Sequence, residues 1–289
     1  MALEQPLRTL LFVPGNKPKM LEKARTAGAD AVILDLEDGV PVGEKEAARA
    51  AVRQALEAGS FRPQVILRVN GFATGLAEAD LKGAFGPGVE AICLPKAEGL
   101  LDVLHLSPLI TEIEQIHNRE TGSVDIVPMV ETARGVLHAH ELAEGCWRVR
   151  ALCLGGEDLA RELGAVRTKA GVELAHARAQ VVLAARATGV LAIDSIWTDL
   201  NDMEGLRAEA RHARELGYSG KTVIHPDQVA PVHEAFTPTT QEIDYARRVV
   251  EAFEAAGQRG DGVIALDGQM IDAPVVARAR ETLRLAGGR

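Results

Sequence analysis

Glu131 and Asp158 stand at the ends of two successive apolar runs, IVPMVE and ALCLGGED. Two carboxylates so placed suit a hard divalent cation that keeps open coordination positions. They belong to a wider pattern, because short apolar runs also end in Asp35, Arg68, Lys96, Asp194 and His225, making seven in all. If the runs are parallel strands of one (β/α)8 barrel, these side chains converge on its C-terminal mouth, where such barrels keep their catalytic groups.

Each residue has a competing, purely structural reading. Asp35 belongs to DLEDGV, which adds Glu37 and Asp38. Three acids at one strand end repel one another unless a cation or hydrogen bonds compensate. The alternative is a solvated acidic loop, with Asp38 and Asp194 also placed to cap helices. Arg68 can hold a carboxylate or a developing enolate oxygen in a fixed fork, or it can pair with one of the DLED acids. Lys96, in LPKAEG, would need a lowered pKa in an apolar pocket to act covalently. Acids from other strand ends keep it protonated and favour an electrostatic role. Glu131 precedes Thr132, Ala133 and Arg134 and could equally cap a helix. Gly155 and Gly156 let a ligand approach the backbone ahead of Asp158, which makes Gly156 and Glu157 candidates for substrate contact. Among the eight histidines, His138 and His140 come nearest to zinc-ligand spacing. Positions two apart on a helix face different sides, which argues against zinc. His225, in VIHPDQ, reads as an orienting hydrogen-bond partner.

The elements that must position these groups alternate. Expected strands are Thr9–Val13, Ala31–Leu36, Gln64–Val69, Ala91–Leu94, Val124–Met129, Ala151–Leu154, Leu191–Asp194 and Thr222–Ile224, each followed by a helical pattern. This order with short connections implies parallel strands and right-handed crossovers, and eight units match a closed barrel. Asn16 can cap the first helix, with Pro18 near its first position. An alanine-rich helix is expected from about Glu44 to Leu56, and the last barrel helix from about Asp227 to Ala235. Beyond it come a helix from Thr239 to Ala256, the segment GVIALDGQMID and a terminal helix from Pro274 to Ala286. The expected division is a barrel over residues 1–236 and a helical extension over 237–289.

Composition agrees with this architecture. The 289 residues suffice for a single α/β barrel, which needs about 250. Only 3% of them are aromatic, so Ala, Val, Leu and Ile must fill the core. A net charge of -9 argues against a nucleic-acid partner, although a few local cations can still hold one anionic ligand. Cys93, Cys146 and Cys153 show neither metal-site spacing nor a disulfide framework, and Cys93 and Cys153 read as small buried residues. The start MALEQPLRTL lacks a secretory apolar region, and no apolar run reaches about 18 residues. No membrane partner is implied, and a cytoplasmic location is expected.

The ordered motifs LFVPGNKPKMLEKA, ADAVILDLEDGV, VILRVNG, ICLPKAE, IVPMVETARGV, LCLGGEDLA, AIDSIWTDLND, GYSGKTVIHPDQ and GQMIDAP span nearly the whole chain. In them the chain resembles the citrate lyase β-subunit family, the CitE-like branch of the HpcH/HpaI aldolase superfamily, which includes malyl-CoA and citramalyl-CoA lyases. The resemblance implies a TIM barrel with Mg2+ held by Glu131 and Asp158 plus waters. It implies that Arg68 contacts the oxo-acid or enolate oxygen and that Glu37 and Asp38 orient metal-bound waters. It implies that Asp272 reaches the site from a neighbouring subunit, which makes the extension functional and the protein a homo-oligomer, a trimer or hexamer.

The implied activity is Mg2+-dependent cleavage of a 3-hydroxyacyl thioester of the citryl-, citramalyl- or malyl-CoA type into an oxo acid and acetyl-CoA, or the reverse condensation. Lys17 and Lys19, beside the positive end of the first helix, are then candidates for the coenzyme A phosphates, with Arg8 and Lys221 weaker ones. Solvated lysines are the alternative. The segment Gly164–Glu173 can narrow or open the pocket. Citrate lyase proper uses an acyl carrier subunit, and such a partner stays open for this chain. Two other classes stand beside the lyase. One is a CoA-independent, metal-dependent class II aldolase using pyruvate enolate, without a role for Lys17, Lys19 or Asp272. The other is a non-catalytic barrel serving as a binding or regulatory subunit.

Overall fold

Eight short runs rich in Val, Ile, Leu and Ala pair in parallel, each with the next in sequence, and close into a barrel. They are β1 (Thr9–Pro14), β2 (Ala31–Asp35), β3 (Gln64–Arg68), β4 (Val89–Leu94), β5 (Asp125–Val130), β6 (Ala151–Leu154), β7 (Leu191–Asp194) and β8 (Gly220–Val223). Closure pairs Leu10 of β1 with Thr222 of β8. This computed structural model describes residues 3, 6–258 and 261–287. The strands fall where the sequence places them, with ends differing by one or two residues. Parallel neighbours cannot be joined by tight turns, so helices cross between them and cover the barrel's outside. That is why β2 and β5 are buried at every position.

Successive strand side chains alternate between the barrel interior and the helical layer. The interior cluster includes Leu10, Ile33, Ile66, Cys93, Val127, Met129, Cys153 and Ile193. Aliphatic and small residues fill it, as the scarcity of aromatics requires. All three cysteines are buried and unpaired. On the outside, the helix Lys45–Glu57 turns Ala48, Val52 and Leu56 inward at a four-residue spacing that makes one apolar stripe. Full burial of one such Val or Leu contributes about 1.5 to 3 kcal/mol, so Val52→Asp would break this contact. The first helix, Pro18–Ala24, corrects one expectation. Its N-cap is Lys17 without a side-chain bond, while the Asn16 amide donates to Glu44 at 2.6 Å.

The chain divides into two compact units between His233 and Glu234, a boundary inside the helix Val229–Phe236. The second unit begins with the helix Thr240–Gly257, whose capping box pairs Thr239 with Glu242. GVIALDGQMID folds as an antiparallel hairpin of β9 (Ile264–Leu266) and β10 (Gln269–Ile271). Asp267 and Gly268 turn between them with φ of 52° and 77°, the pair of left-handed conformations that a two-residue Asp-Gly turn supplies. The helix Ala273–Gly287 follows, and Ala246, Val249, Ile271, Val276 and Ala279 make this unit's own core. Among the described residues no helix is long and apolar enough to cross a membrane.

Candidate active site

Counting by two along each strand shows what reaches the mouth. Beyond interior Ile33 comes Asp35; beyond Ile66, Arg68; beyond Met129, Glu131; beyond Cys153, Gly155; and beyond Ile193, Ser195. All five line a cavity of about 320 Å³, together with Phe12, Asp38, Gly156, Glu157, Asp158, Thr222 and others. Glu37 and Lys96 do not line it but stand against residues that do.

Asp35 and Arg68 are register partners on adjacent strands, so their side chains emerge side by side. Arg68 donates from Nε and Nη2 to the two Asp35 oxygens, each at 2.7 Å. Asp35 also accepts from the Glu37 and Gly39 N–H groups at 2.8 and 2.9 Å. Burial works against its charge, yet Arg68 and these donors hold its carboxyl below the ordinary range. The Arg68 guanidinium packs over Phe12 at 4.6 Å and points Nη1 at Glu37, 3.1 Å away. Arg68 is therefore an ion-pair partner of the DLED acids, and it also lines the cavity.

Asp35 and Glu37 are buried, and of the three DLED acids Asp38 alone is solvated. Burial raises the Glu37 carboxyl despite Arg68 and Lys96. The Lys96 ammonium bonds Glu37, and the Lys96 backbone N–H donates to Glu131 at 2.8 Å. Burial pulls the Lys96 pKa down, but Glu37 more than offsets it, so the lysine is held charged, as its electrostatic reading requires. Lys96 adopts φ of 50°, a left-handed conformation unusual for a non-glycine residue.

Glu131 is not a helix cap. Thr132 takes that role, accepting from the Gly135 N–H at 3.0 Å. Glu131 is 2% exposed and, among the described residues, joins no ion pair. Burial lifts its carboxyl to about 7; Arg68 opposes the shift, and Glu37 and Asp158 add to it. Gly155 makes room for it, since a Cβ there would lie 2.3 Å from Glu131 Oε2. Asp158, in the first turn of the helix Gly156–Glu162, pairs at 2.6 Å with Arg161. Glu157 is held by Arg167 at 2.8 Å, from the segment Gly164–Glu173. Among the described residues no cluster of three or more Asp, Glu, His or Cys forms a ready metal cage. One buried, unpaired carboxylate and a second beside the same cavity fit a cation such as Mg2+, which takes one or two carboxylates and fills its remaining positions with water and substrate oxygens.

Several candidates lie elsewhere. Asp194 points away from the mouth, into a buried network with Arg178 at 3.0 Å and Lys221 at 2.8 Å. Glu209 completes it, 2.7 Å from Lys221. Lys221 is 0% exposed, so its reading as a coenzyme A contact is wrong: its parity on β8 buries it under the helices. Arg8 is engaged with Asp30 at 2.9 Å. His225 is not in the cavity lining; its Nδ1 accepts from the Asp227 N–H at 3.2 Å. Lys17 and Lys19 are exposed at the start of the first helix. Asp272 belongs to the second unit, where Oδ1 accepts from the Val275 N–H at 3.2 Å and opens the last helix. Ser195 was not anticipated. The two-residue count from Ile193 would have found it, whereas the last polar residue of the LAID run is Asp194.

A closed barrel that gathers a locked arginine and several carboxylates around one cavity at its strand ends has the form of a (β/α)8 enzyme. A family model described as HpcH/HpaI aldolase/citrate lyase matches residues 8–226. A citrate lyase subunit beta of Leuconostoc mesenteroides subsp. cremoris is 38% identical over 98% of this chain and 94% of its own. A (3S)-malyl-CoA thioesterase of Cereibacter sphaeroides is 36% identical over 97% of this chain and 95% of its own. The crystal structure of CitE from Mycobacterium tuberculosis in complex with magnesium, acetoacetate and coenzyme A matches with a TM-score of 0.81 and 36% identity, covering 97% of this chain and 98% of that one. The chain belongs to the HpcH/HpaI aldolase/citrate lyase family, and as such is a carbon–carbon lyase.

Proposed function

We propose that the protein cleaves a 3-hydroxyacyl thioester of the citryl-, citramalyl- or malyl-CoA type into an oxo acid and an acetyl thioester, or condenses the two in reverse, with Mg2+ as cofactor. The observation that carries this reading is the meeting of Glu131, Asp158 and Arg68 around one cavity. The magnesium, acetoacetate and coenzyme A in the Mycobacterium tuberculosis relative support it. Glu131 and Asp158 are the residues that would hold Mg2+, which supplies Lewis-acid polarisation of the substrate's oxygens.

Cleavage begins when the substrate hydroxyl passes its proton to a water ordered by Glu37 and Asp38, while Asp272 enters the step as the carboxylic acid. The carbon–carbon bond then breaks, its electron pair passing to the acetyl carbon to give an enolate and leaving the other fragment as an oxo acid. Arg68 Nη1, whose contacts are Glu37 and the weak acceptor Met129 Sδ at 3.7 Å, is the part of the guanidinium left to stabilise the developing negative oxygen. Asp35 keeps it from turning away. Glu37 and Asp38 serve to order waters, and Gly156 and Glu157 flank the substrate. Asp272 of a neighbouring copy protonates the enolate carbon and removes a proton from it in the reverse direction. The working form is then a homo-oligomer, a trimer or hexamer, in which residues 237–289 complete the site of barrel 1–236. Lys17 and Lys19 meet the coenzyme A phosphates, the location is cytoplasmic, and an acyl carrier can replace coenzyme A as the thioester handle.

The test is an assay of the purified protein with Mg2+ on citryl-, citramalyl- and malyl-CoA, beside Glu131→Ala and Asp272→Asn. Oxo acid and acetyl-CoA should form with at least one substrate, and both variants should lose most of that activity. Turnover of CoA-free aldol substrates alone would overturn the proposal. So would release of free CoA with the hydroxy acid skeleton intact, an outcome the thioesterase relative makes worth measuring. Full activity in Asp272→Asn would remove Asp272 from the mechanism.

A further inference from the structure

Two neutral hydroxyls line the cavity, Ser195 and Thr222. Thr222 Oγ1 donates to the Asp194 carbonyl at 3.1 Å, so its proton is engaged. Ser195 is different. Its Oγ accepts from the Gly156 N–H at 2.9 Å, and its carbonyl accepts from the buried Lys221 ammonium. A hydroxyl that accepts a hydrogen bond still has its own proton to give. Among the described residues nothing accepts that proton, and the side chain is 1% exposed. The chain is built closely around this group: a Cβ at Gly156 would come within 2.7 Å of both Ser195 Oγ and Leu174 Cδ1.

The charges around it indicate what the proton is for. Asp35, Asp38, Glu131, Glu157 and Asp158 line the cavity, against Arg68 as the one cation in the lining. A substrate carboxylate entering this acidic mouth needs donors, and Arg68 already spends Nε and Nη2 on Asp35. Hydrogen bonds to an ionised acceptor are about twice as strong as neutral ones. An unspent hydroxyl proton in the same cavity therefore favours a carboxylate over a neutral carbonyl. Resting on the lyase reading above, we propose that Ser195 donates to a carboxylate oxygen of the oxo acid, and to the same group in the hydroxyacyl thioester, and so selects substrates that carry it.

The competing role is positioning, because the Gly156 N–H bond also steadies the helix turn that carries Asp158. Calorimetric titrations separate the two, with acetoacetate and its neutral methyl ester at saturating Mg2+, and with Mg2+ alone. Ser195→Ala should weaken acetoacetate binding about ten- to a hundredfold, the usual weight of a hydrogen bond to a charged group. Binding of the methyl ester should weaken several-fold less than that of the acid, because its carbonyl can accept only a weaker neutral hydrogen bond, and Mg2+ binding should stay within about twofold of wild type. Ser195→Cys keeps the shape with a much weaker donor and should behave the same way, which covers the case of an alanine variant that does not fold. An equal loss for acid and ester, a matching loss of Mg2+ affinity, or no loss at all would each overturn the proposal. Failure of the wild-type protein to bind both Mg2+ and acetoacetate would overturn the lyase reading and this inference with it. Normal wild-type binding with unaffected variants would remove the Ser195 contact alone.

Discussion

Replacing Glu131 by glutamine should make the metal-free protein more stable, and increasingly so as pH rises. Glu131 is 2% exposed, and burial lifts its carboxyl from the ordinary 4.5 to about 7. The folded protein then binds this proton more tightly than the unfolded chain does. Between those two values the native state carries more protons, so stability falls as pH climbs through the window. At about 1.4 kcal/mol per unit, the penalty approaches about 3 kcal/mol above pH 8 and is about 1 kcal/mol near pH 5. Glutamine has nearly the same shape and cannot ionise, so its excess stability over wild type should grow by roughly 2 kcal/mol across that range. Urea unfolding of both proteins in EDTA measures this. Taking the difference between them cancels groups that titrate alike in each, such as Asp35. Adding Mg2+ at the higher pH should stabilise wild type and leave the variant nearly unchanged. A stability gap that does not vary with pH would refute the picture of Glu131 as a buried carboxylate without a counter-charge.

Three further perturbations test separate parts of the structure. Lys221→Met leaves Asp194 and Glu209, its partners at 2.8 and 2.7 Å, to share Arg178 alone, with one buried negative charge uncompensated. Unfolding free energy should drop by about 3 to 5 kcal/mol, and an unchanged denaturation midpoint would contradict the burial argument. Gly155→Ala places a Cβ 2.3 Å from Glu131 Oε2. Mg2+ affinity should fall about tenfold or more while the circular dichroism spectrum is retained. Because Lys17 and Lys19 are exposed, changing both to Ala should alter stability by no more than about 0.5 kcal/mol. That double variant should raise the KM for the thioester and leave the KM for the oxo acid in place, and an unchanged thioester KM would remove these lysines from the binding site.

The barrel was legible because eight apolar runs separated by helical patterns admit few other arrangements. The mouth was legible in part, because the sequence marks where a strand ends but not which side of the barrel its last residue faces. Asp194 and Ser195 are neighbours in LAIDS, and one step of parity sends the first to Arg178 and the second to the cavity. The same step buries Lys221 and leaves Thr222 in the lining. Other features depend on contacts between distant segments. Lys96 joins Glu37 through its side chain and Glu131 through its backbone, across 59 and 35 residues of chain. No local pattern marks such a bridge. The hairpin at Asp267 and Gly268 is the opposite case, since the Asp-Gly pair between short apolar runs is itself a turn signal.

The acids of the mouth differ in how readily each can accept a new cation. Asp35 is tied by the bidentate Arg68 contact and two backbone donors, and freeing it would expose a buried charge at a cost of about 3 to 5 kcal/mol. Glu37 is held between Lys96 and Arg68. Asp158 is tied more loosely: Arg161 lies three residues on in the same helix, with its side chain 74% exposed. A solvated pair of this kind is worth about 0 to 1 kcal/mol, so giving it up for a divalent ion costs little. Glu131 has no salt bridge to give up among the described residues, and a counter-charge would relieve its burial. Glu131 and Asp158, the two carboxylates proposed to hold the metal, thus give up little to a cation, while Asp35 and Glu37 keep Arg68 and Lys96 in place. Exchanging these duties, for instance by Arg161→Glu to repel Asp158 or Asp35→Asn to loosen Arg68, would disturb metal affinity in the first case and the arginine's orientation in the second.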